Sequence, residues 1–98
     1  MALSAFSTTV RTTTTAWADL VLGARIVTAI MVANTSNDDV VVQVRLVKSG
    51  STAVIVPRAV VADGDSARVR LPSLPLAGGE KIQVASSGAC DWIAIGMQ

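Results

Sequence analysis

The segment Ile26–Leu46, IVTAIMVANTSNDDVVVQVRL, decides how this chain is read. Two β-branched, apolar runs flank the polar cluster Asn34-Thr35-Ser36-Asn37-Asp38-Asp39, and the arrangement predicts one long hairpin. The second run alternates. Val40, Val42, Val44 and Leu46 fall on one face, with Gln43 and Arg45 on the other, as in a strand with one buried side. The first run is apolar on both faces: Ile26, Ile30 and Val32 share one, and Val27, Ala29, Met31 and Ala33 share the other. A strand apolar on both sides needs cover on both. In so small a protein, a second layer or another subunit has to supply it.

Outward from this segment, turn signals recur every 8–12 residues. On the N-terminal side, Met1–Phe6 reads as a loose arm and Ser7–Thr15 is dense in threonine, which favours strands. Residues 1–15 are therefore an N-terminal arm or edge strand, a mobile threonine-rich tail being the alternative, and 16–98 form a single β-sandwich domain. Trp17–Leu22 is a short strand or turn closed by Gly23. On the C-terminal side, Ala53–Val56 is a short strand stopped by Pro57, and Asp63-Gly64-Asp65 is a tight turn. Ser66–Leu71 alternates, with Ala67, Val69 and Leu71 inward and Arg68 and Arg70 outward. Pro72 and Pro75 bracket a rigid connection ending at Gly78-Gly79. Lys81–Ala85 alternates again, and Asp91–Met97 closes the chain with Trp92 and Ala94 on one face and Ile93 and Ile95 on the other. The expected class is all-β: a small antiparallel β-sandwich, jelly-roll-like, of seven or eight short strands.

Composition points to assembly. Of 98 residues, 51% are hydrophobic, 3% aromatic and 15% charged, the last well below the roughly 25% usual for soluble domains. So little polar surface implies burial between subunits; a compact Ala/Thr-rich monomer is the competing reading. A net charge of +1 gives no electrostatic case for nucleic acid, even with Arg58, Arg68 and Arg70 close in sequence. Ile26–Ala33, the longest apolar stretch, is far shorter than the roughly 20 residues of a membrane span. Met1–Val10 lacks the pattern of a secretory signal.

The chemistry of catalysis is thin. With no histidine, neither a Ser-His-Asp nor a Cys-His arrangement can form within one chain, and a lone cysteine cannot hold zinc. Cys90 reads as a buried or neutral thiol of a reducing compartment. Asp63 and Asp65 could lend oxygens to Ca²⁺, but a calcium site needs six or more ligands, and Asp-Gly-Asp is ordinary turn chemistry. No enzymatic activity, cofactor, metal or small-molecule ligand is expected. The candidate interface residues are Val10, Trp17, Val27, Met31, Arg68 and Arg70, the two arginines suited to carboxylates of an adjacent subunit. Trp92, in an alternating strand, reads as the plug of a core made of valine and alanine rather than as an interface anchor.

A further pattern lies in Val32-Ala33-Asn34-Thr35-Ser36, Val40–Leu46, Asp63-Gly64-Asp65-Ser66 and the stretch Leu74–Ser86, LPLAGGEKIQVAS. In this order the pieces resemble the small β-sandwich proteins of tailed-bacteriophage virions, over roughly residues 25–98. The resemblance implies a non-enzymatic virion component, assembled in the bacterial host cytoplasm. It implies a capsid decoration or cement protein first, and a neck, tail or fibre component as the alternative. The implied partners are other copies of the chain, as a trimer or larger, and a major capsid or other virion protein. From a different class, a carbohydrate- or receptor-binding sandwich module is the competing hypothesis, with few aromatics to serve it.

Overall fold

The computed structural model describes residues 4–98. Eight strands follow one another: β1 Ala5–Thr12, β2 Ala18–Leu22, β3 Arg25–Asn34, β4 Val40–Lys48, β5 Ser51–Val61, β6 Ser66–Leu76, β7 Lys81–Ser86 and β8 Cys90–Met97. They form two four-stranded antiparallel sheets, the first in the order β1-β8-β3-β6 and the second in the order β2-β7-β4-β5. This is the strand order of a jelly roll, in which successive strands alternate between facing sheets. Only β4 and β5 are consecutive in the chain and neighbours in one sheet. They are joined by the two-residue turn Ser49-Gly50, where Gly50 takes φ 79°.

The expected Ile26–Leu46 hairpin is therefore corrected. β3 belongs to the first sheet and β4 to the second, so the polar cluster carries the chain from one layer to the other. Asn34, itself buried, makes the crossing specific. Its Nδ2 donates to the carbonyl oxygens of Asp38 (2.8 Å), Val61 (3.0 Å) and Ala62 (3.2 Å). Its Oδ1 accepts from the backbone N–H (2.9 Å) and hydroxyl (2.8 Å) of Ser36. One amide thus ties the β3–β4 crossing to the β5–β6 crossing, and Asp39 Oδ1 adds a bond from the Asp63 N–H at 2.9 Å.

Between the sheets lies a core of Leu20, Val21, Val27, Ile30, Val32, Val40, Val42, Val44, Leu46, Val61, Leu76, Ile82, Val84, Cys90, Trp92 and Ala94. Trp92 is fully buried, as expected of a plug, and its indole needs an acceptor. Nε1–H donates to Thr12 Oγ1 at 2.8 Å, Thr12 bonds Ser86 Oγ, and Ser86 donates to the Gly88 carbonyl at 2.6 Å. Because an indole N–H only donates and a carbonyl only accepts, the direction of every bond in this buried chain is fixed. It links β8 and β1 of one sheet to β7 of the other.

Two further expectations are revised. A register shift between Val27 and Ala29 places both Val27 and Ile30 toward the core, so Val27, fully buried, is not an interface residue. Pro57 does not end a strand, and Pro72 and Pro75 do not bracket a connection. β5 and β6 run through them, because both are edge strands, where a missing N–H breaks no ladder bond. Of the two readings of residues 1–15, arm or edge strand, β1 takes the second: it pairs with β8 along its whole length at the edge of the first sheet. The part of the expected arm at residues 1–3 lies outside the described residues.

Candidate functional site

The outer face of the first sheet is where the chemistry of this surface is unusual. Alternation directs Trp92, Ala94 and Gly96 of β8 to the core, so Asp91, Ile93, Ile95 and Met97 point away from it. The register sets Met31 of β3 opposite Ile93, and Ala29 opposite Ile95. Arg68 and Arg70 of β6 lie opposite Met31 and Ala29 on the other side, and Thr9 and Ser7 of β1 opposite Ile93 and Ile95. An apolar stripe therefore runs along the middle of the sheet, bordered by hydroxyls at one edge and guanidinium groups at the other.

Ile93 and Ile95 each retain 37% exposure on the outer face of a central strand, where an antiparallel sheet normally presents polar side chains to water. Shallow depressions flank them. One, of about 340 Å³, is lined by Met31, Ala33, Ser66, Arg68, Asp91 and Ile93 among others. Arg68 lies across Met31, Nη2 to Sδ 3.4 Å. Arg11 forms a two-point pair with Asp91 at 2.7 and 3.1 Å, holding that carboxyl below its ordinary range through the hydrogen bond first and the charge second. Among the described residues, neither Arg68 nor Arg70 has a carboxylate in ion-pair range, so this face carries unpaired positive charge beside its apolar stripe.

The outer face of the second sheet is different, because its polar groups satisfy one another. Arg45 donates through Nε and Nη2 to Gln83 Oε1 at 2.9 and 2.7 Å, and Gln83 Nε2 donates to Asp19 Oδ1 at 2.8 Å. Lys81 Nζ approaches Asp19 at 3.3 Å. The Gln83 bond, more than the lysine, lowers the Asp19 pKa. Trp17 stacks on the Arg45 guanidinium, 4.1 Å from the ring centroid, which explains why it is half-buried. At the two edges of this sheet the order ends: Leu22 on β2 and Val54 and Val60 on β5 are 58%, 67% and 68% exposed.

The sequence-derived candidates therefore separate. Met31, Arg68 and Arg70 share the outer face of the first sheet; Val10 sits half-buried on the inner side of edge strand β1; Trp17 belongs to the opposite face; Val27 is core. Ile93 and Ile95 were absent from the candidate set, although their alternation with Trp92 carried the signal: if the tryptophan faces the core, they cannot.

Other chemistry is sparse. Asp38, Asp39, Asp63 and Asp65 lie in the two loops at one end of the sandwich, but Asp39 and Asp65 carboxylates accept the backbone N–H groups of Asp63 and Ser66. No group of three or more His, Cys, Asp or Glu among the described residues is placed to hold a metal. Burial pushes the Cys90 thiol up, away from the thiolate. The aromatic rings are occupied: Trp92 in the core, Trp17 by Arg45, and Phe6 by Arg25 at 4.9 Å. Compared with protein-family models, curated proteins and solved structures, the chain finds no match.

Proposed function

We propose that this chain is a non-enzymatic structural protein of a tailed-bacteriophage virion, an oligomeric decoration or cement protein that stabilises the capsid through protein–protein contacts. The observation carrying this reading is the uncovered Ile93–Ile95–Met31 stripe on the outer face of one sheet, beside Arg68 and Arg70. Exposed apolar surface at the middle of a sheet, rimmed by polar groups, marks a contact face. Jelly rolls recur in capsid proteins, which agrees with the resemblance in strand and turn order, although a fold alone does not fix a function. Guanidinium groups without a carboxylate partner among the described residues suit carboxylates of a neighbouring protein.

The test is co-sedimentation with purified tailed-phage particles from the genome that encodes the chain, with light scattering of the free protein. The expected result is an oligomer that pellets with capsids, and loss of binding in Ile93→Lys with the fold retained. Binding to isolated tails and not to capsids would move the protein to the neck or tail. A monomer that ignores both would overturn the proposal.

A further inference from the structure

Four strands lie at sheet edges, and three are blunted in the ways that prevent edge-to-edge pairing. β2 has five residues and a register shift between Asp19 and Val21. β5 contains Pro57 and faces register shifts between Val42 and Arg45 of β4, and β6 contains Pro75 and a shift opposite Val27–Ala29. β1 has none of these. Its eight residues, AFSTTVRT, pair with β8 without a shift, contain no proline or lysine, and carry one charge, at Arg11.

The main-chain groups on its open side can be assigned. Ser4 and Gln98 exchange both backbone bonds, at 3.0 and 2.8 Å. Bonded and non-bonded pairs alternate along an antiparallel ladder. Phe6, Thr8, Val10 and Thr12 therefore turn their N–H and C=O groups toward β8, whereas Ala5, Ser7, Thr9 and Arg11 turn theirs to the open edge. A second observation falls on the same strand: Thr8 Oγ1 is buried and has no hydrogen-bond partner. Its inward neighbours Phe6 and Val10 are only half-buried, although they pack against the core.

We propose that two copies of this chain join β1 to β1, antiparallel, about a two-fold axis at Thr8, so that the first sheet continues into its partner as one eight-stranded sheet. In this register Ala5 pairs with the partner's Arg11 and Ser7 with the partner's Thr9, and all four open-edge residues of each copy are used. Thr8 faces the partner's Thr8 in a non-bonded pair, where side chains stand closest and threonine hydroxyls bond across strands. Phe6 faces the partner's Val10, so the two half-covered apolar groups cover each other. Pairing about Ser7 or Thr9 would set Thr8 against an apolar side chain and leave open-edge groups unpaired. The contact is isologous, closes on itself, and brings two apolar stripes into one surface. It rests on the assembly reading and names the first contact within it.

The test uses the full chain. Thr8→Cys is expected to give a covalent dimer on mild oxidation, whereas Arg11→Cys, displaced from the axis, is not; Cys90, fully buried, gives little background. Thr9→Pro removes one outward donor, which an edge strand tolerates, and is expected to weaken association by about tenfold or more at unchanged far-ultraviolet circular dichroism. Equal cross-linking of both cysteine variants, or wild-type mass in a folded Thr9→Pro, would overturn the β1 contact and leave assembly through other surfaces standing. A wild-type protein that is monomeric up to millimolar concentration and ignores virions would overturn both.

Discussion

Replacing Asn34 by aspartate is the sharpest probe of how the two sheets are joined, because it alters one atom and reverses its chemistry. The Oδ1 bonds from Ser36 survive. The nitrogen that donates to the Asp38, Val61 and Ala62 carbonyls becomes an oxygen facing them. Two N–H donors shared among three carbonyls are lost, an unsatisfied buried acceptor costing about 1–3 kcal/mol, and above its folded-state pKa the new carboxyl is an unpaired buried charge. The sum is about 3–5 kcal/mol, a large share of the roughly 5–15 kcal/mol a domain possesses. For a chain of this size that is a fall of roughly 15–30 °C in the unfolding midpoint.

The sign with pH is diagnostic. The new carboxyl has a folded-state pKa raised above its unfolded value of about 3.9, so the penalty is complete above the folded pKa. It is relieved as pH falls toward the unfolded value, where the protonated acid donates to one carbonyl. Denaturant unfolding of wild type, Asn34→Asp and Asn34→Ala across this range measures it. The gap between Asn34→Asp and Asn34→Ala should narrow on acidification. A neutral-pH loss below about 1 kcal/mol, or a gap independent of pH, would refute the account of this crossing.

Other consequences can be checked as directly. Thr12→Val keeps shape but strands the Trp92 N–H, and should cost about 1–3 kcal/mol in denaturant unfolding, whereas a neutral outcome would mean the indole finds another acceptor. Gly96→Ala would drive a Cβ into the Ile26 carbonyl and the Phe6 ring, a backbone clash expected to cost about 1–3 kcal/mol or more in thermal unfolding. Native Cys90 should resist a thiol reagent until the chain unfolds, and rapid stoichiometric labelling would contradict its burial. Asp19, Glu80 and Asp91 are held below the ordinary carboxylate range by Gln83, by the Ala77 N–H and by Arg11 respectively. Each adds stability that is present above its unfolded pKa and lost as pH falls through its folded one, so the melting midpoint should drop below about pH 4, and less steeply in Glu80→Gln.

Much of the sandwich was legible in the sequence because alternation survives wherever one face is buried. Ser66–Leu71 and Asp91–Met97 sort inward and outward as their period of two requires. What failed was parity and partnership. A single register shift beside Thr28 reverses which face Val27 occupies, and nothing in IVTAIMV marks an extra residue. The polar cluster after Asn34 reads equally as a return within one sheet or a passage between two, since both need turn-forming side chains. Asn34 decides the matter through carbonyls 27 and 28 residues away, which no local pattern reveals. Pro57 and Pro75 signal strand ends only if a strand is flanked on both sides. The candidate face was half visible: Met31 and the two arginines came from the facing pattern of their strands, but their meeting with Ile93 and Ile95 required the β3–β8 and β3–β6 registers.

One feature of the topology bears on how the molecule comes into being. With a single link, Ser49-Gly50, joining strands that also pair, nearly every ladder closes between segments distant along the polypeptide. The β4–β5 hairpin, the one local pairing, can form within microseconds, but the outermost ladder waits for the last strand, because β1 binds β8. Such non-local topologies fold over milliseconds to seconds. Throughout that interval the threonine-rich first strand has no mate, and a nascent chain held at high local concentration could lend its own eighth strand to a sister. Exchange of that strand between molecules is the misfolding route this connectivity invites.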